Sequence, residues 1–200
     1  MVTVPACLKC NKSFEKDDVL FAMATCGESY MDHPQALRAW ELSLWPMIMR
    51  SPALRSMLAS NMGTGPVRTS AGIYLPDSCA IGYPKDRMNR VVGRFVRGLL
   101  WEHYKRTINT DTEMSVYRNP LIPPELAEFI NTHTNHSWIG DDIFRYRHAL
   151  VPDGTDTSLW ALQFYAHSKY FVVVMGKSFK EAEGKEAEAS RSRAIVSPIS

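Results

Sequence analysis

The stretch 143–175, IFRYRHALVPDGTDTSLWALQFYAHSKYFVVVM, decides the fold class. Three runs within it, Ile143 to Leu150, Ser158 to Ala166 and Tyr170 to Met175, are rich in aromatic and β-branched residues. Such side chains fit a pleated, half-buried surface better than a helix. Turn signals separate the runs, at Pro152-Asp153-Gly154 and around His167-Ser168. Short apolar runs divided by turn residues predict an antiparallel meander.

Upstream of it the periodicity changes from strand to helix. Between Asp86 and Lys105, the apolar residues Met88, Val91, Val92, Phe95, Val96 and Leu99 recur on one helical face. Arg87, Arg90, Arg94 and Arg97 form a stripe nearly opposite. Pro120, Pro123 and Pro124 punctuate the connection to the meander, with a short helix expected from Glu125 to Thr132.

The N-terminal part is helical in pattern. A helix is expected from about Ser13 to Thr25, with Glu15, Asp17 and Asp18 in its first turns, where negative charge complements the helix dipole. Asp32 and Gln35 are spaced as a capping box ahead of Leu37, Trp40, Leu44 and Ile48, and Pro46 should kink or end that helix. Ser51-Pro52 restarts the chain as a cap followed by a first-turn proline. Leu54, Met57, Leu58 and Met62 then form the next apolar stripe before Gly63. Val67 to Thr69 and Ile73 to Leu75 flank Ser70-Ala71-Gly72 as a short hairpin, with Ala80 to Tyr83 as its extension. The fold class expected is therefore α+β, with helices predominating in the first 132 residues and an antiparallel sheet in the C-terminal part. One domain is expected over residues 1–176. Residues 177–200 are polar and rich in Ala, Glu, Lys and Ser, which predicts a disordered tail.

Composition narrows the class further. The chain of 200 residues is 45% hydrophobic, with five Trp, eight Tyr and eight Phe, which is the make-up of a folded core. No stretch approaches the roughly 20 consecutive apolar residues of a membrane span, and the N-terminus lacks a basic region followed by an apolar run. Cys7, Cys10, Cys26 and Cys79 are too few and too irregular for a secreted disulfide framework, so a cytoplasmic location is expected. The formal charge of +2 does not by itself imply a nucleic-acid partner. Oligomeric state is not legible.

Cys7-Leu8-Lys9-Cys10 has the spacing of a zinc knuckle, in which a tight turn brings two thiolates to one tetrahedral ion. It supplies half of a four-ligand site. Cys26, His33 and Cys79 are the available completions, set against a reading of Cys7 and Cys10 as plain thiols. His133 and His136 could place two imidazoles near one cation, or lie in a surface loop. The four arginines of the long helix offer planar donor forks suited to phosphate, set against a solvated face or salt bridges to a neighbouring element. Trp40, Trp45 and the aromatic residues of the meander read as core. Gly63-Thr64-Gly65 lacks the lysine and helix start of a phosphate loop.

The run Val4 to Phe14, VPACLKCNKSF, with Asp17 and Asp18 following, resembles the second half of the motif of bacterial HNH-type endonucleases. Pro52 to Arg55, Ala71 to Leu75 and Val91 to Leu99 also look like the region that follows this motif in those proteins. The resemblance implies a ββα-metal fold of which residues 1–30 are the remnant zinc knuckle and helix, zinc or another divalent metal as cofactor, DNA as partner, and Asn11 in the place of the family's asparagine. It also implies an upstream Cys-x-x-Cys and a Glu-His pair on a preceding hairpin, and neither occurs ahead of Cys7. Glu102-His103 has the letters but falls inside the long helix, so the catalytic role is not carried over to His103. HNH-type hydrolysis needs a base to activate water and a cation to stabilise the phosphate. Two accounts stand open: Met1 as an internal start of a longer reading frame, or a remnant with a binding role only. The function expected is an HNH-nuclease-like DNA-binding protein, catalytically incomplete in this chain. The alternative is a non-enzymatic binding protein using the arginine-bearing helix or the sheet edge.

Overall fold

The computed structural model describes residues 8–68, 72–105, 108, 112–118, 123–140, 142–151 and 157–175. Cys7 and the expected tail at 177–200 lie outside them. The chain divides into two compact units, one built from residues 5–94 with the turn 165–168, the other from 95–164 and the residues beyond 168.

In the first unit, α1 runs Leu8–Ser29, starting earlier than the sequence pattern indicates. Asp17 and Asp18 consequently sit past its first turn, and that turn carries no acidic residue. Their role as charges complementing the helix dipole is therefore corrected. Next come α2 (Pro34–Ala39), a π-helical turn (Trp40–Leu44) and α3 (Trp45–Arg50). The expected break at Pro46 takes the form of that π turn. Pro46 has no N–H to give and its ring crowds the preceding turn, so the helix widens just ahead of it. Trp45 N–H reaches back five residues to the carbonyl of Trp40. Ser51 caps α4 (Pro52–Asn61), its Oγ accepting from Leu54 N–H at 3.3 Å, with Pro52 at the first helical position. Met23, Cys26, Leu44 and Ile48 form the buried centre, and Val19, Trp40, Met57, Leu58 and Tyr83 pack against it. A strand pair, β1 (Met62–Arg68) and β2 (Tyr74–Ile81), follows in antiparallel register from Met62 opposite Ile81 to Arg68 opposite Tyr74. It is longer than the expected hairpin, and its register shifts between Gly65 and Val67. Pro66 sits at that shift and cannot donate to a ladder.

Helix α5 (Lys85–Tyr104) contributes residues to both units. Met88, Val91, Val92, Val96 and Leu99 are buried, as the helical spacing predicts. Phe95 remains partly exposed, and its ring packs on Phe164 and Phe144 at 5.1 and 5.6 Å.

The second unit carries β3 (Met114–Arg118), α6 (Pro124–His133), β4 (Asn135–Ile139), β5 (Phe144–Leu150), β6 (Ser158–Phe164) and β7 (Ser168–Val174). The strands form one antiparallel sheet in the order β3-β7-β6-β5-β4. The fold class is α+β, with helices in the N-terminal part and this sheet in the C-terminal part. Burial alternates along the central strands, because successive side chains point to opposite faces. Phe144, Tyr146 and His148 on β5 face inward, with Ser158, Trp160, Leu162 and Phe164 on β6. Aromatic rings tile this inner face, Phe144 on Phe164 at 4.6 Å and His148 on Trp160 at 5.0 Å. No described helix is long and apolar enough to cross a membrane.

Candidate functional site

Cys10 and Asn11 lie in the opening turn of α1, and Cys79 lies on β2; their side chains, like that of His133, fall outside the described ones. Cys26 is buried on α1, packed against Met23, Leu44 and Ile48, and its Sγ donates to the Tyr165 hydroxyl at 3.4 Å. Burial pushes this thiol's pKa up, which opposes the thiolate that a zinc ligand must be. His33 packs edge-on against Tyr165 at 5.3 Å. Among the described residues no group of three or more His, Cys, Asp or Glu is assembled that could hold a metal ion. The described side chains therefore do not furnish the ligand set that an HNH-like metal would need.

The arginine stripe of α5 turns toward α1 over its first half. Arg87 Nε lies 2.5 Å from Asp17 Oδ1 and Arg90 Nη2 2.7 Å from Asp17 Oδ2. Arg94 Nη2 lies 2.9 Å from Asp18 Oδ1, with its guanidinium over the Phe14 ring at 4.5 Å. Asp17 is 3% exposed, so two arginines are committed to a carboxylate with little access to water. Arg97 is half-buried, and desolvation lowers its pKa. The forks of Arg87, Arg90 and Arg94 are thus occupied by carboxylates within their own unit.

His103 falls in the last turn of α5. Its Nε2 lies 2.8 Å from the Tyr146 hydroxyl, and its ring lies 4.2 Å from that of His148. His148 is 2% exposed, and its pKa falls to about 4, chiefly through burial and secondly through the neighbouring His103. The imidazole of His103 on α5 thus lies against that of His148 on the inner sheet face, and His148 stays neutral at physiological pH.

The outer face of the sheet has a different chemistry. Arg145 and Arg147 alternate outward between the inward Phe144, Tyr146 and His148. Register brings Arg145 opposite Gln163 of β6 and Trp138 of β4, and Arg147 opposite Ala161 and His136. Lys169 and Phe171 of β7 extend the same surface, and Tyr117 of β3 stands opposite Phe171. Strands β4 to β7 line a hollow of about 330 Å³ bordered by Arg145, Arg147 and Lys169, with no carboxylate in its lining among the described residues. Small Ala161 leaves the room between the longer chains. Beside the hollow, the β4–β5 turn holds Asp142 at φ 62°, a left-handed conformation that aspartate tolerates. Asp142 Oδ1 lies 2.7 Å from Arg145 Nη2, but both side chains are about half exposed, so the pair is weak and competes poorly with a stronger anion. Arg147 Nη1 donates to the Asn131 carbonyl of α6 at 3.5 Å.

Sequence spacing points to the helix stripe and passes over this face. Arg145 and Arg147 on β5 are separated from Lys169 on β7 by more than twenty residues, and His136 sits in a stretch whose polar sequence reads as a surface loop. The alternation Arg145-Tyr146-Arg147 within an apolar run is the one local signal that could have drawn attention to it.

No protein-family model matches the chain, and neither a curated protein nor a solved structure is similar to it. The HNH-type resemblance therefore rests on the residues that carry it, Cys7, Cys10 and Asn11 above all.

Proposed function

We propose that this chain is a binding protein for a phosphate-bearing anionic partner, held on the outer face of the C-terminal sheet. The observation that carries this is the presence of Arg145, Arg147 and Lys169 around one hollow whose lining, among the described residues, has no carboxylate. Cations gathered in a concavity reinforce one another's potential, and guanidinium forks match phosphate oxygens in pairs. The α5 stripe is less suited to that work, because Asp17 and Asp18 neutralise three of its arginines.

Binding of inorganic polyphosphate across a salt series tests the proposal. The wild-type chain should bind and lose affinity as salt rises, and an Arg145→Glu, Arg147→Glu double variant should not bind. Undiminished binding by the double variant would overturn it.

An HNH-nuclease-like DNA-binding role, catalytically incomplete in this chain, is a separate proposal, supported by the likeness of Cys7, Cys10 and Asn11 to the family motif. Elemental analysis of the purified chain, beside a Cys7→Ser, Cys10→Ser variant, tests it. About one zinc per chain, lost in the variant, would favour a metal-centred domain, while no stoichiometric metal would remove it.

A further inference from the structure

Resting on the anion-binding proposal, we infer that the occupant of the sheet's outer face is a single-stranded nucleic acid whose bases stack on aromatic side chains at the two edges of the sheet. Both edge strands end the basic surface with a large exposed ring. On β4, Trp138 is 65% exposed, and on β3, Tyr117 is 52% exposed. Each has an aromatic neighbour, His136 at 5.2 Å from Trp138 and Phe171 at 6.5 Å from Tyr117. Exposed aromatics on a sheet are costly to keep in water, and a base offers a π-face that covers them whatever its sequence. The cations lie between the two rings, on β5 and β7. Phosphates crossing the strands would meet Arg145, Arg147 and Lys169 while bases reach either edge.

The dimensions agree. Five strands span four interstrand spacings, about 19 Å at about 4.8 Å each. At the stacked rise of about 3.4 Å per nucleotide in a strand, about six nucleotides bridge Trp138 to Tyr117, and fewer if the strand is extended. A duplex presents its bases stacked inside the helix and cannot offer them to both rings. Single strands are therefore the form that uses the rings and the cations together.

Fluorescence anisotropy tests this with four labelled probes of equal length, roughly ten nucleotides, within the range of known single-strand sites. These are oligothymidylate, oligouridylate, an abasic sugar-phosphate strand and a mixed-sequence duplex, beside unlabelled polyphosphate as competitor. At least one base-bearing single strand should bind about tenfold tighter than the abasic strand and the duplex, since stacking adds roughly that much per base. Whichever of the thymidylate and uridylate strands binds tighter identifies the source as DNA or RNA. Trp138→Ala and Tyr117→Ala should each remove most of that preference while leaving polyphosphate binding unchanged, and Trp138→Phe should restore most of it. Both positions are solvent-exposed, and a circular dichroism melt matching wild type would confirm that the variants fold. If polyphosphate binds but the abasic strand binds as well as the base-bearing ones, the stacking inference falls and the anion-binding proposal stands. If nothing binds, both fall. Preference for duplex would overturn the inference alone.

Discussion

Arg87 of α5 places its Nε 2.5 Å from Oδ1 of Asp17, a carboxylate of α1 seventy residues earlier that is almost sealed from water. Removing one partner of such a pair leaves an uncompensated buried charge, which costs more than the pair itself contributes. Arg87→Ala should destabilise the fold by about 2 kcal/mol, allowing for the part-exposure of Arg87 and for Arg90 remaining on the other oxygen. Arg90 is the more exposed of the two, so Arg90→Ala should cost less than about 1 kcal/mol. Urea unfolding of the two variants checks the order, and neither should alter polyphosphate affinity.

Salt dependence provides a count of the phosphates engaged. Each phosphate neutralised on a single strand contributes about −0.7 to the slope of log K against log salt. Three cations on the sheet face predict a slope of about −2, falling toward −0.7 in an Arg145→Ala, Arg147→Ala variant. A slope unchanged by the substitutions would place the contacts elsewhere.

His148 predicts an acid-side loss of stability. Its folded pKa of about 4 lies below the ordinary value of 6.5, so the unfolded chain takes up the proton first. The stability of the neutral, buried ring is complete above pH 6.5, declines as pH falls toward about 4, and levels off below that. The loss amounts to about 3 kcal/mol at about 1.36 kcal/mol per unit. Phenylalanine fills a similar volume without titrating, so unfolding free energies of His148→Phe from pH 7 to pH 4 should fall less steeply than wild type by about that amount.

Ser51 offers a local test. Its Oγ satisfies Leu54 N–H at the start of α4, and Ser51→Ala should cost about 1 kcal/mol in thermal or urea unfolding. Ser51→Gly should cost only a few tenths, since glycine is itself a tolerated cap.

Elements were readable where side chains speak to near neighbours along the chain. The buried stripe of α5, the Ser51-Pro52 start of α4 and the central strands β5, β6 and β7 all lie close to where their patterns put them. The edge strands did not announce themselves. Asn135 to Ile139 reads as a polar surface, and becomes a strand by pairing with Phe144 to Leu150 across a tight turn. Met114 to Arg118 is short and gains its ladder from β7, more than fifty residues later. Propensity is weak in both, and the partner strand decides.

The candidate site divides along the same line. A spacing of three and four residues showed four arginines on one side of α5, but not that Asp17 and Asp18 would take three of them. What the chain determined by itself is the class of fold: a 3.6-residue period through the helices, then aromatic and β-branched runs that suit only a sheet. What tertiary structure alone decided is which charges are buried against one another and which gather around one hollow. Local periodicity sets the face a side chain occupies, whereas its partner across some seventy residues depends on how helices and strands pack. Arg145, Arg147 and Lys169 share one hollow only because β5, β6 and β7 lie side by side in register.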